Sequence, residues 1–300
     1  KYAQYSDTIL DMFELAAILC NKRRKRGGLN CAHFSRVYER NAEGKISLFE
    51  RVDEPDTRAM VREIGYFVSE AIGEYMHKRK LPCIYNGRSS VPKGTLDYLS
   101  DLVGLKTKEK DSAKRAAMVA EAAKGTEYYS FVCDALASSL PAGEFSVKPI
   151  NNAFCGTDRI VSLFTPASKY TNLLMQRILK HIIAAKGETT NLNLNRMKKL
   201  VASAAEEANK AEAYIRETQM RFKIESALEY IENSGLEFQK GFPLFVEENG
   251  AVPVVLECGL MSIVPSEYAK GFEFEPAKVR DFQVIALGTL DELTILKPVI

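Results

Sequence analysis

An α+β fold in two domains is predicted by three features of the sequence. Apolar residues recur at helical spacing through most of residues 1–235, whereas residues 236–300 break into short strands separated by turn signals. The 300 residues also amount to two domains at roughly 150 each, enough to bury a core without disulfide staples. A hydrophobic fraction of 46% and a charged fraction of 27% exclude a mainly disordered or collagen-like chain. No stretch approaches the roughly 18 consecutive apolar residues of a membrane-spanning helix. The chain starts at Lys1 with no signal-peptide core behind it, so a longer parent that has lost its N-terminal part is expected.

Taken in order, Ile9, Met12, Phe13, Ala16 and Leu19 give a first helix, which Ser6 or Asp7 can cap and Gly27-Gly28 ends. Phe34, Val37 and Tyr38, then a turn around Asn41–Gly44, then Ile46, Leu48 and Phe49 predict a hairpin. Pro55-Asp56 opens a second helix running to about Lys80, with Met60, Ile64, Phe67, Val68, Ala71 and Ile72 on its buried side. Leu81–Tyr85 reads as a short buried strand leading into a polar turn, Asn86–Ser90. Helical patterns return at Thr95–Val103, at Ser112–Lys124 with Gly125 as C-cap, and at Tyr128–Leu136. Lys169–Lys186 is helical, with Leu173, Leu174, Ile178, Ile182 and Ile183 on one side, and a long amphipathic run covers about Arg196–Asn233. Gly235 closes that run and sets the domain boundary, 1–235 and 236–300. Beyond it lie strands at Phe242–Val246, Val252–Glu257, Leu260–Val264, Val284–Leu287 and Leu293–Leu296, with Asn249-Gly250 at a hairpin position. Such a set suits a small five-stranded barrel of the OB type.

Forty-one Lys and Arg against 39 Asp and Glu give a net charge of +2, too close to neutral to announce a nucleic-acid partner. Lys22, Arg23, Arg24, Lys25 and Arg26 nevertheless stand in one run. They suit either phosphate binding or a solvated helix end, where cations complement the helix dipole. Six scattered cysteines without a C-x-x-C pair point to a reducing intracellular compartment, cytoplasm or an organelle matrix such as the mitochondrion. Cys31 and His33 form a C-x-H that no second pair completes, so no structural metal is expected. Spacing alone reveals no phosphate loop, H-E-x-x-H, G-x-S-x-G or Asp-Asp pair, and Asp53–Asp56 reads as a helix cap.

The segment Leu163-Phe164-Thr165-Pro166-Ala167-Ser168-Lys169-Tyr170-Thr171-Asn172-Leu173, followed by Gln176-Arg177, resembles the signature of the RNB-family exoribonucleases. That signature is approximately H-F-T-S-P-I-R-R/K-Y-x-D-L, then H-R. Four further stretches are similar to family segments in the same order: Lys22–Leu29, Val61–Ala71, Leu81–Tyr85, and the helix bearing Ser203, Glu206, Ala211 and Glu212. The resemblance implies an RNB-type ribonuclease domain, its N-terminal part missing, followed by an OB-fold-like RNA-binding module. The family's aspartate segment, D-x-x-x-x-x-D-x-D-D, would lie before Lys1. Mg²⁺ is therefore implied only if that upstream cluster exists, and no other cofactor is expected.

Departures from the family pattern carry the functional expectation. Ser168 replaces the arginine expected to steady the scissile phosphate, and a hydroxyl cannot replace a charged bidentate fork. Asn172 replaces an aspartate, Gln176 a histidine, and Asn86-Gly87-Arg88 the R-x-H strand end. No catalytic residue is then intact, and the resemblance implies an inactive pseudo-nuclease that binds RNA or scaffolds a ribonucleoprotein. The alternatives are an active Mg²⁺-dependent 3′-to-5′ exoribonuclease with its aspartates upstream, and a purely protein-binding module. Single-stranded RNA and protein subunits are the implied partners, with no membrane. Candidate RNA contacts are Arg23, Arg24, Lys25, Arg26, Arg88, Lys169 and Arg177, with Tyr85, Tyr170 and Phe164 as stacking aromatics and Glu212 near the channel. Core packing is the competing role for Tyr85 and Phe164.

Overall fold

In the computed structural model, residues 3–31, 34–53, 55–88, 90–140, 143–186, 193–235 and 237–299 are described. Side chains of residues 3, 34–36 and 47–53 lie outside that description, as do His33, Ser89 and Leu236 altogether. The α+β expectation holds. Two compact units divide the chain: Lys1–Cys31, Pro55–Ala122 and Asp134–Ile215 form the first, Ala32–Glu54, Ala123–Cys133 and Arg216–Ile300 the second.

In the first unit, α1 (Ser6–Lys25) stops where Gly27 takes φ +95°, a conformation that glycine adopts without strain. Ala16 and Arg23 are its buried residues, whereas Ile9, Leu10, Leu15 and Ile18 are exposed. Helix α2 (Asp56–Lys78) also departs from the apolar side expected of it. Phe67, Val68 and Ala71 face outward, while Met60, Glu63, Ser69, Gly73 and Met76 are buried. A close backbone crossing constrains one point of the buried side: a Cβ placed on Gly73 would lie 2.0 Å from the Arg159 carbonyl oxygen, so only glycine fits there.

The core of this unit gathers Met76, Leu81, Ile84, Val161, Leu163, Leu174, Met175, Ile178 and Val201. Here β3 (Tyr85–Gly87) pairs antiparallel with β4 (Glu144–Ser146), and Ser162 donates its N–H to the Ile84 carbonyl at 3.2 Å. Helix α6 (Tyr170–Ala184) buries Leu174, Met175, Ile178 and Ile182 but exposes Leu173 and Ile183, which were expected on the packed side. Helices α3 (Lys93–Leu102), α4 (Ser112–Ala123) and α5 (Tyr129–Ser139) fall where the periodicity places them. The long run becomes a single helix, α7 (Leu194–Ser234), ended by Gly235 at φ +64°.

The second unit holds the predicted hairpin, β1 (Phe34–Arg40) with β2 (Ile46–Asp53), and a closed barrel. Barrel strands β5 (Phe238–Pro243), β6 (Val252–Leu256), β7 (Met261–Val264), β8 (Arg280–Ala286) and β9 (Thr294–Pro298) run in the order β5-β6-β7-β9-β8. Only β7 and β9 pair in parallel, an OB-like arrangement. A short helix, α8 (Ser266–Ala269), follows β7. Inward residues alternate along β6 as Val252, Val254 and Leu256, and they join Phe282, Leu296, Ala227 and Ile231 in one core.

One ionic contact fastens the first unit from inside. Arg23, 4% exposed, donates Nε to Glu63 at 2.9 Å and Nη2 at 2.6 Å. Its Nη1 donates to the Leu29 and Phe154 carbonyls, each at 2.7 Å. Removing one partner of such a buried pair leaves an uncompensated charge, so Glu63→Gln is expected to destabilise the chain by about 3–5 kcal/mol. Gly73→Ala is expected to cost about 1–3 kcal/mol through forced separation of the α2 backbone from residue 159. Denaturant melts of both variants check these values; a change under about 0.5 kcal/mol at either position would contradict the packing described.

Candidate nucleic-acid interface

Residues 161–172 leave the core, turn sharply and enter α6. Val161 and Leu163 are buried, after which Phe164 emerges to 49% exposure against the Gly65 position of α2. Thr165 then takes φ +62°, a left-handed conformation that is strained for a β-branched residue. Local hydrogen bonds hold it there. The Ser168 and Lys169 N–H groups donate to the Thr165 carbonyl at 3.1 and 3.2 Å, and Asn172 Nδ2 donates to Thr165 Oγ1 at 3.1 Å. Ser162 donates its hydroxyl to Asn172 Oδ1. Lys169 is extended at φ −134°, ψ 117°, and the helix begins at Tyr170.

The polar residues of this turn are therefore engaged in holding it. Asn172 is 4% exposed and bonded on both ends of its amide. Ser168 is exposed, with its hydroxyl donating to the Thr165 carbonyl at 3.2 Å. Gln176 Nε2 donates to the Leu163 carbonyl at 2.7 Å. What faces outward is a mixed stripe on α6: Tyr170, 60% exposed, with Leu173 and Arg177 at the i+3 and i+7 positions of one helical face. Beside it, Lys169 Nζ donates to Glu212 at 2.5 Å and lies 5.8 Å from the Phe145 ring centre. The turn thus brings together Ser168, Lys169, Tyr170, Asn172 and Glu212.

Other expected RNA contacts are placed differently. Arg23 is a correction: every nitrogen of its buried guanidinium is engaged, by Glu63 of α2, by Asn30 and by the Leu29 and Phe154 carbonyls, leaving none for a phosphate. Arg24 pairs with Glu121 at 2.5 Å, and Arg26 with Glu70 at 2.5 Å and the Cys155 carbonyl at 2.8 Å. Lys22 and Lys25 remain exposed in that run. Tyr85 is a second correction. It is 3% exposed, inside the core cluster, so its ring cannot stack on a base; burial above all raises its hydroxyl pKa. The Arg88 guanidinium rests 5.6 Å from the Phe154 ring centre.

Sequence reasoning missed Ser162, whose hydroxyl anchors the turn, and Glu63, whose signal is a carboxylate set within an apolar helical stripe. Thiol chemistry is suppressed where the cysteines are buried. Burial pushes Cys83 and Cys155 each up to about 12, so both stay protonated at neutral pH. Among the described residues, no three His, Cys, Asp or Glu side chains converge as a metal site. No helix among them is long and apolar enough to cross a membrane.

Comparison with solved structures supports the same fold. Mycoplasma genitalium RNase R in complex with ribose-methylated single-stranded RNA superposes with a TM-score of 0.81 at 14% identity, covering 98% of this chain and 49% of that one. An active-site mutant of the Dss1 exoribonuclease from Candida glabrata gives 0.67 at 14% identity, covering 99% and 36%. Yeast Ssd1, described as a pseudonuclease, gives 0.54 at 12% identity, covering 94% and 35%. The chain thus spans about half the length of the first of these and about a third of the other two. A comparison with curated proteins returns no match. The RNB domain model matches residues 1–185, through the Arg23 anchor, the Gly73 crossing and the turn into α6, and with that match the chain belongs to the RNB family.

Proposed function

We propose that this chain is the nuclease-fold part of a pseudo-nuclease that holds single-stranded RNA without cutting it and scaffolds a ribonucleoprotein. The observation that carries the proposal is the turn into α6. Ser168, at the position of the family's phosphate-steadying arginine, offers one hydroxyl already bonded to the Thr165 carbonyl. Asn172 and Gln176 are likewise committed to the loop's own backbone and side chains. A group fixed to its own fold has no donor to aim at a phosphoryl charge that develops during cleavage. The likeness to Ssd1 supports the reading, since that protein is itself described as a pseudonuclease on this fold.

The outward face retains what RNA retention needs. Tyr170 offers an exposed ring for a base to stack on, Arg177 offers a cation for the backbone, with Lys169 shared with Glu212 beside it, and Leu173 extends the apolar part of the platform. The likenesses to RNase R and Dss1 favour the competing reading, an active Mg²⁺-dependent 3′-to-5′ exoribonuclease whose aspartates lie upstream. Against it stands Ser168, because supplying the metal would not restore the missing guanidinium.

Retention of a labelled single-stranded oligoribonucleotide by the full-length protein, followed across salt concentrations, tests the platform. Tyr170→Ala is expected to weaken binding by about 1–3 kcal/mol, between about fivefold and 150-fold in Kd. Arg177→Ala is expected to reduce the slope of log K against log salt by about 0.7, the loss of one phosphate contact. Retention unchanged by both variants would place the RNA elsewhere, or nowhere, on this chain.

A further inference from the structure

The barrel carries a feature that RNA retention does not use. A cleft of about 480 Å³ opens between the β5–β6 connection and the α8 segment, with Val246, Val252, Ala269, Phe272 and Phe274 as its apolar lining. Phe272 and Phe274 stand 5.1 Å apart, and the Arg280 guanidinium lies 5.2 Å from the Phe272 ring centre, which holds that ring in place. Val246 is exposed on one lip and Val252 is fully buried at the floor, so the lining runs from solvent into the barrel core. Clefts of this size and lining take side chains or small apolar groups.

The charge around the cleft says what kind of chain fits it. Residues 237–300 carry ten Asp and Glu against five Lys and Arg, the reverse of the balance in the rest of the sequence. Glu267 lines the cleft, Glu247 and Glu248 follow Val246, and Glu273 sits between the two phenylalanines. Glu248, Glu267 and Glu273 have no ion-pair partner among the described residues. Glu275 differs: Lys278 at 2.9 Å, with Arg280 at 3.3 Å, holds its carboxyl below the usual range and takes up its charge. Lys270 is the only cation among the residues lining the cleft. Phosphates brought here would meet Glu267 in the lining and, around it, a stretch with five more carboxylates than cations, whereas Lys or Arg beside an apolar anchor would be attracted.

We infer that this cleft docks a protein partner through an apolar segment flanked by Lys or Arg, and that it is not a face for RNA. The barrel is closed, so the partner cannot add a strand to an edge and must anchor by its side chains. The inference is independent of the turn into α6, because it concerns residues of the second unit alone.

Fluorescence anisotropy on the full chain, with a labelled Lys-Leu-Phe-Leu-Lys-Lys peptide as probe, tests it. The same apolar core flanked by Glu is the control. The basic peptide is expected to bind about tenfold or more tightly than the acidic one, and the Glu248→Lys/Glu267→Lys variant to erase or reverse that preference. Both positions are exposed and unpaired, so the variant should fold. Hydrogen exchange should slow at residues 244–252 and 266–274 when the basic peptide binds. Equal binding of the two peptides, binding of neither, or a preference that survives charge reversal would overturn the inference. So would an oligouridylate that slows exchange in those two segments, which would make the cleft an RNA face.

Discussion

Everything that positions the candidate site in the first unit depends on a guanidinium withdrawn from water. Arg23 could be buried only because Glu63 meets it with both carboxylate oxygens while two backbone carbonyls and Asn30 Oδ1 take the remaining donors. Those carbonyls belong to Leu29, just after α1, and Phe154, on the approach to the segment that crosses α2. The contact therefore sets α1 against α2 and fixes where the chain at residue 154 must pass. Five residues later the Arg159 carbonyl crosses Gly73, where a side chain would not fit. Residues 161–163 then enter the core beside Ile84, and the turn at Thr165 inherits its place from all of these.

At that turn, stability and chemistry compete for the same atoms. A strained Thr165 needs donors and acceptors around it, and the loop takes them from Asn172, Ser162 and Ser168. In a nuclease the equivalent polar groups would need to be free to face substrate. Their engagement here leaves a well-formed helix entrance with exposed Tyr170 and Arg177 beside it.

The order of elements was legible because periodicity reports it directly: α1, α2, α6, α7 and the barrel strands fall close to where the pattern puts them. Which face each helix buries was less legible. On α2 the apolar residues Phe67 and Val68 point outward, whereas Gly73 is buried under a backbone crossing, a demand for glycine that hydrophobicity does not register. The basic run shows the same gap. Five consecutive cations look alike in sequence, yet only a partner forty positions away separates buried Arg23 from exposed Lys25. The motif itself was readable, since Ser168 and Asn172 are substitutions in a known frame, but not the hydrogen bonds that now occupy them.

The exposed tyrosine and the apolar cleft sit on separate stretches of the chain, the first mildly basic and the second acidic. That division suits a scaffold, and it leaves the absence of cleavage as the central claim. Incubating full-length protein with 5′-labelled single-stranded RNA, with and without added Mg²⁺, and resolving the products at single-nucleotide steps tests it most directly. The account predicts retained, full-length RNA in both conditions. A Mg²⁺-dependent ladder shortening from the 3′ end would contradict it and show that Ser168 does not disable the site.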